Sequence, residues 1–131
     1  MTPPTASTRT TAETVAAFND AFKRRDKAAL ADLVHPDCLM VSAQPAPDGT
    51  PYAGKDASMA FWAELLDDVS ATFEVEHVFT DGDWAAVRWR YRYGPTDAES
   101  VLGVNITRVS DGRVIEQHGY TKTPDVLPLP E

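Results

Sequence analysis

Apolar positions recur every three or four residues through the first half of the chain and every second residue through most of the second half, so helices precede strands. Thr10 and Glu13 have the spacing of a capping box that opens a first helix, with Val15, Phe18 and Phe22 along its apolar face. Asp26 caps a second helix whose Leu30, Leu33 and Val34 point inward, and Pro36 stops it because the residue before proline avoids the helical region. An apolar strand, Cys38 to Ala43, comes next. Gln44 to Gly54 holds three prolines and two glycines and reads as a loop. Asp56 then caps a third helix, the most hydrophobic of the three, carrying Met59, Phe61, Trp62, Leu65, Leu66 and Val69. Four alternating strands follow: Thr72 to Phe79, Trp84 to Tyr93, Glu99 to Val109, and Arg113 to Lys122. Asp81-Gly82, Gly94-Pro95-Thr96-Asp97 and Ser110-Asp111-Gly112 supply the turns between them. The order α-α-β-α-β-β-β-β predicts an α+β fold in which a curled antiparallel sheet wraps around a helical lid. Such an arrangement is a container, so a pocket is expected before any catalytic residue is named.

Composition narrows the picture only in places. At 131 residues the chain fits one domain, expected over residues 10–122, with a flexible start over 1–9 and a Pro-rich tail over 123–131. With 43% hydrophobic and 24% charged residues, whole-chain disorder is excluded. The net charge of −8 is spread along the sequence, which argues against nucleic acid or an anionic membrane as partner. The basic run Lys23, Arg24 and Arg25 suits a helix C-terminus and needs no nucleic-acid explanation. Cys38 is the only cysteine, so no intrachain disulfide or Cys-rich zinc site forms, and its apolar setting marks it as a core residue. The N-terminus lacks an apolar signal region and no later run approaches the roughly 20 apolar residues of a membrane span. A cytoplasmic location is the resulting expectation. Three scattered histidines have no metal-ligand spacing, and no phosphate loop, nucleophile elbow or dinucleotide fingerprint is present. No metal and no cofactor is therefore expected.

Several segments together carry a family resemblance. They are Phe18 to Leu33 followed by His35-Pro36-Asp37, Tyr52 to Asp56 before the third helix, Asp81-Gly82-Asp83 leading to Val87-Arg88-Trp89, and Asp111 to Glu116 opening the last strand. In this order and spacing the chain resembles the SnoaL-like and ketosteroid-isomerase-like branch of the nuclear transport factor 2-like (NTF2-like) superfamily. The resemblance implies a cone: a strongly bent sheet encloses an apolar cavity, helices close its sides, and two copies often pair through the outer sheet face. It does not imply a reaction, because the superfamily holds isomerases, cyclases, hydrolases, dehydratases and noncatalytic modules.

Laid on the ketosteroid isomerase pattern, the tyrosine donor position falls on Phe18, the base on Ser42 and the protonated aspartic acid on Asn105. Phe18 has no donor and Ser42 is too weak a base unaided, so only Asn105 still serves an oxyanion. The same overlay lines the cavity with Met40, Trp62, Val87, Trp89, Gln117 and Gly119, an aromatic and apolar wall suited to a flat lipophilic ligand. The alternative is that these aromatics simply fill a closed core. For a neutral-pH base, His118 and His77 are the candidates, with His35 tied to a helix end. The overlay sends His118 outward unless a β-bulge reverses the parity, while His77 alternates with Phe73 and Val75 and is expected on the inner face.

Arg88, Arg90 and Arg92 alternate with Trp89, Tyr91 and Tyr93, and Glu74 and Glu76 alternate on the preceding strand. The charged face predicts cross-strand ion pairs and a homodimer interface. Two readings of function remain open. One is a cofactor-independent enzyme acting on a small hydrophobic carbonyl compound, with Asn105 on the oxygen, Ser42 and Gln117 orienting, and His118 or His77 as base. The other is a noncatalytic module that binds such a ligand or dimerises.

Overall fold

In the computed structural model, residues 9–45 and 47–122 are described. The capping box forms: Thr10 Oγ1 accepts from Glu13 N at 3.0 Å, and Glu13 Oε1 accepts from Thr10 N at 2.9 Å, opening α1 (Thr11–Lys23). Asp26 caps α2 (Lys27–Ala31) by accepting from Ala29 N at 3.0 Å. Between them Arg25 adopts a left-handed φ of 57°, and its guanidinium donates to Leu66 O in the last turn of the third helix and to Asp68 O and Ala71 O beyond its end. One arginine thereby ties two helix ends together. The expected flexible start and Pro-rich tail lie outside the described residues, apart from Arg9, whose guanidinium donates to Gly112 O at 2.8 Å.

The second helix is shorter than its pattern predicts. It ends at Ala31, and β1 (Val34–Val41) begins where the helix was expected to continue. The cause is long-range pairing: Val34 sits opposite Val114, Val114 N donates to Leu33 O at 2.7 Å, and a register shift between Val34 and Leu39 absorbs Pro36, which has no N–H to give. The predicted Pro-rich loop also contains structure. Pro51–Ala53 form β2, a short antiparallel partner of β1 at the sheet edge, where proline is tolerated. Gly54, not Asp56, is the N-cap of α3 (Lys55–Asp67).

The four long strands are β3 (Thr72–Asp81), β4 (Trp84–Arg92), β5 (Ser100–Ser110) and β6 (Arg113–Thr121), with a 3-10 turn at Asp97–Glu99 before β5. The six strands lie in the order β2-β1-β6-β5-β4-β3. All neighbours are antiparallel except β1 and β6, which run parallel, so the sheet is mixed rather than wholly antiparallel. The parallel pair is a consequence of connectivity: the chain returns to β1 only after three antiparallel turns have carried it across the sheet.

Two apolar clusters pack beneath the sheet. One joins Phe18, Leu30 and Trp62 of the helices to Val34, Cys38, Met40 and Val114; the other joins Val15 of α1 to Ala85, Val87, Trp89 and Val109. The helices thus cover the inner face at two places. The inward positions between those places belong to β5 and β6.

Candidate ligand-binding site

Strand alternation decides which side chains reach this middle strip. Asn105 and Thr107 face inward from β5, opposite Gly119 and Gln117 of β6, while Val87 and Trp89 lie on β4 beside Asn105 and Gly103. Met40 pairs with Gln117 across the parallel ladder. The strip is polar where the flanking clusters are apolar, and the fringes of those clusters meet where Phe22 and Phe73 lie edge to face with centroids 5.4 Å apart. Thr107 Oγ1 donates to Gln117 Oε1 at 3.3 Å, and both residues are buried.

Two groups in the strip have no such partner. The Asn105 amide makes no hydrogen bond among the described residues, and its Oδ1 lies against Gly119, 3.2 Å from where a Cβ would stand. Trp89 Nε1 is buried with no partner among the described residues, a condition that costs roughly 1–3 kcal/mol. At Gly103 a Cβ would overlap Cη2 and Cζ2 of the Trp89 indole, so the ring rests directly on β5. Burial raises the Tyr91 hydroxyl on the same face above its ordinary value, with the Asp68 charge adding to the effect. On the helical side, Phe18 and Trp62 meet edge to face with centroids 5.1 Å apart. All six residues expected to line a ligand, Phe18, Met40, Trp62, Val87, Trp89 and Gln117, are buried.

The candidate acid–base groups lie elsewhere. His118 follows inward-facing Gln117 with no bulge between them and points outward opposite Ile106; its Nε2 is 3.1 Å from Glu116 Oε1. Glu116 also accepts from Arg108 Nη1 at 3.2 Å, and the contacts to His118 first and Arg108 next hold its carboxyl below the ordinary range. The one register shift in this pair of strands comes earlier, at Arg108/Val109, and does not turn His118 inward. His77 overturns the simple alternation. Glu76 is the extra residue of a bulge in β3, so His77 pairs with outward Arg88, is exposed, and stacks on Phe79 with centroids 4.3 Å apart. His35 lies in β1 rather than at a helix end and accepts from Asp37 N. Ser42 Oγ donates to Gln44 O at 2.6 Å and accepts from Thr50 N at 3.1 Å, so its hydroxyl is committed to closing the loop.

Among the described residues no group of three or more His, Cys, Asp or Glu is placed to hold a metal ion, and no helix is long and apolar enough to cross a membrane. Outside the strip, a cleft of about 410 Å³ is lined by Pro36, Ala53, Gly54, Lys55 and Asp56, where the β1–β2 hairpin meets α3. Thr107 was reachable by alternation from Asn105, which the family overlay had put on the inner face. The seating of Trp89 on Gly103 was not, because it depends on cross-strand register.

A mixed sheet with helices over one face and a semi-polar inner strip defines an NTF2-like fold. Residues 15–117 match the SnoaL-like domain, and the chain belongs to that family. It is similar to an NTF2-like protein of unknown function from Mesorhizobium loti, with 42% identity over 86% of this chain and 91% of that one at a TM-score of 0.79. A loop-truncation variant of IdmH is 26% identical over 86% of this chain and 92% of that one, at a TM-score of 0.69. Wild-type IdmH from Streptomyces antibioticus, provisionally assigned as a polyketide cyclase, shares the fold at 24% identity, covering 87% of this chain and 93% of its own, with a TM-score of 0.68. No curated protein matches the sequence.

Proposed function

We propose that this SnoaL-like chain is a cofactor-independent enzyme of the isomerase, cyclase or dehydratase type, binding a small hydrophobic carbonyl compound against the inner sheet face. The observation that carries the reading is the unpartnered Asn105 amide set among Trp89, Val87 and Gln117. A neutral amide aimed at a developing oxyanion in a dry site stabilises it without reorganising. Gln117, held by Thr107, fixes the ligand's orientation, and the aromatic wall supplies area. With the histidines off the inner face, a water molecule accepts the proton released from the substrate's acidic C–H and returns it to the product. Two copies pair through the outer sheet face.

A noncatalytic ligand-binding module is the second reading, favoured by the outward or edge placement of His35, His77 and His118. Asn105→Leu keeps approximate volume and removes the donor, so binding of a hydrophobic ketone should weaken by roughly 0.5–1.5 kcal/mol. Tryptophan-fluorescence titration reads that loss. Turnover of a carbonyl panel by the wild type, reduced in the variant, supports the enzyme; tight binding with no turnover of any member supports the module.

A further inference from the structure

The inner face keeps a fully buried donor that no described group answers. Indole N–H groups that leave water normally find an acceptor, yet Trp89 Nε1 has none. Register explains why. Trp89 pairs with Gly103, the only kind of residue that lets the indole lie against β5 at this position, and Phe73 meets the ring edge to face with centroids 5.1 Å apart. The next inward position of β5 is Asn105, whose amide oxygen lies over Gly119, 3.2 Å from where a Cβ would stand. Two glycines on adjacent strands therefore lay an indole and an amide onto one patch of sheet, and the indole brings a buried N–H donor to it.

We infer that Trp89 Nε1–H is a specificity-determining donor of the ligand site, seated by Gly103, and that it selects aromatic ketones by their carbonyl oxygen. The inference rests on the carbonyl-binding reading above and adds the residue that reads the oxygen. A ketone oxygen offers lone pairs and no proton, so it answers the indole donor without adding a donor of its own. The ring of an aromatic ketone meets Phe73 and Tyr91, whose centroids lie 4.6 Å apart. The matching hydrocarbon fills the same space but leaves the donor unanswered, and sites built to hydrogen-bond discriminate strongly against such analogues. Entry displaces Phe73, which sits on the edge strand β3 and is only partly buried.

The test is a proton–nitrogen correlation spectrum of the full chain titrated with α-tetralone and fluorenone, each against its hydrocarbon, tetralin or fluorene. Trp89→Phe assigns the Trp89 indole among the three tryptophans and keeps a ring in place. Either ketone should move the Trp89 Nε1–H resonance downfield while its hydrocarbon leaves it in place. Trp89→Phe should lower ketone affinity about 3- to 10-fold and hydrocarbon affinity less than twofold. Gly103→Ala should lift the indole and lower ketone affinity as well; if that variant does not fold, the wild-type spectrum and Trp89→Phe still decide. Ketone binding that moves the Asn105 resonances and leaves Trp89 unmoved overturns this inference while the carbonyl-binding reading stands. No movement on the inner face with either ketone overturns both.

Discussion

Cys38 has no solvent exposure, and burial pushes its thiol up to about 11 from an ordinary 9.0, with the Ser58 hydrogen bond pulling the other way and the Glu116 charge adding a smaller rise. A raised value means that the folded state holds the proton longer than the unfolded one. The contribution to stability is therefore intact below pH 9.0 and is lost as pH rises towards about 11. At pH 8, iodoacetamide should alkylate the native thiol at least about 100-fold more slowly than the urea-unfolded one, as a two-unit shift in thiolate fraction requires. Comparable rates in the two states would mean that Cys38 is reachable and that burial does not hold its thiol up. Phe18 and Ser42 give a second residue-level outcome. Phe18 is packed on Trp62 and has no donor, and the Ser42 hydroxyl is spent on Gln44 and Thr50. Losing a positioned base and an oxyanion donor costs about 10²-fold or more each. Isomerisation of a 3-oxo-Δ5 steroid should accordingly be slow or absent, and turnover near the diffusion limit would require a base that the inner face does not hold.

At the scale of elements, short helices lean on their caps. α2 has five residues, too few to stand on propensity, and Asp26 accepts from Ala29 N while that same bond holds its carboxyl below the ordinary range. Asp26→Ala should cost about 1 kcal/mol in urea unfolding, and a change within error would mean that burial of Leu30 alone fixes the helix. Both N-terminal caps were legible from the sequence because a cap is a local hydrogen bond between residues three apart. The four long strands were legible for a similar reason, since alternation is local and the turns carry Gly82 and Gly112 at positive φ. What escaped was long-range. Val34 left its helical pattern to pair with Val114, Pro51–Ala53 became a strand only because β1 offered an edge, and His77 turned outward at a bulge that composition does not mark. Asn105 and Gln117, which the family overlay puts on the inner face, do face inward, because no bulge intervenes in their stretch of β5 and β6. The histidine expected inside was lost where one did.

The outer sheet face is where the molecule as a whole has unfinished business. Arg88 and Arg90 reach Glu76 at 3.2 and 3.8 Å, and Arg92 bridges Glu74 and Asp97 at 2.9 and 2.8 Å, so the cationic stripe is neutralised within one chain. Such exposed pairs add little to stability, but they remove the repulsion that would keep two arginine-bearing faces apart. Beside them run Ala86, Leu102, Val104 and Ile106 on outward positions, with Phe79, Trp84 and Tyr120 at 59%, 41% and 57% exposure. We propose that a second copy covers that apolar strip, which would take the exposed aromatic rings out of water. Ile106 lies between Ala86 and His118 at the centre of the strip, so Ile106→Asp places a charge where two copies would meet and leaves the inner face untouched. Light scattering at micromolar concentration should give twice the 14.3 kDa chain mass for the wild type and the single-chain mass for Ile106→Asp, with unchanged far-UV circular dichroism. A wild type that scatters as a monomer would leave the apolar strip without the partner proposed for it, and a variant that remains dimeric would move the interface off this face.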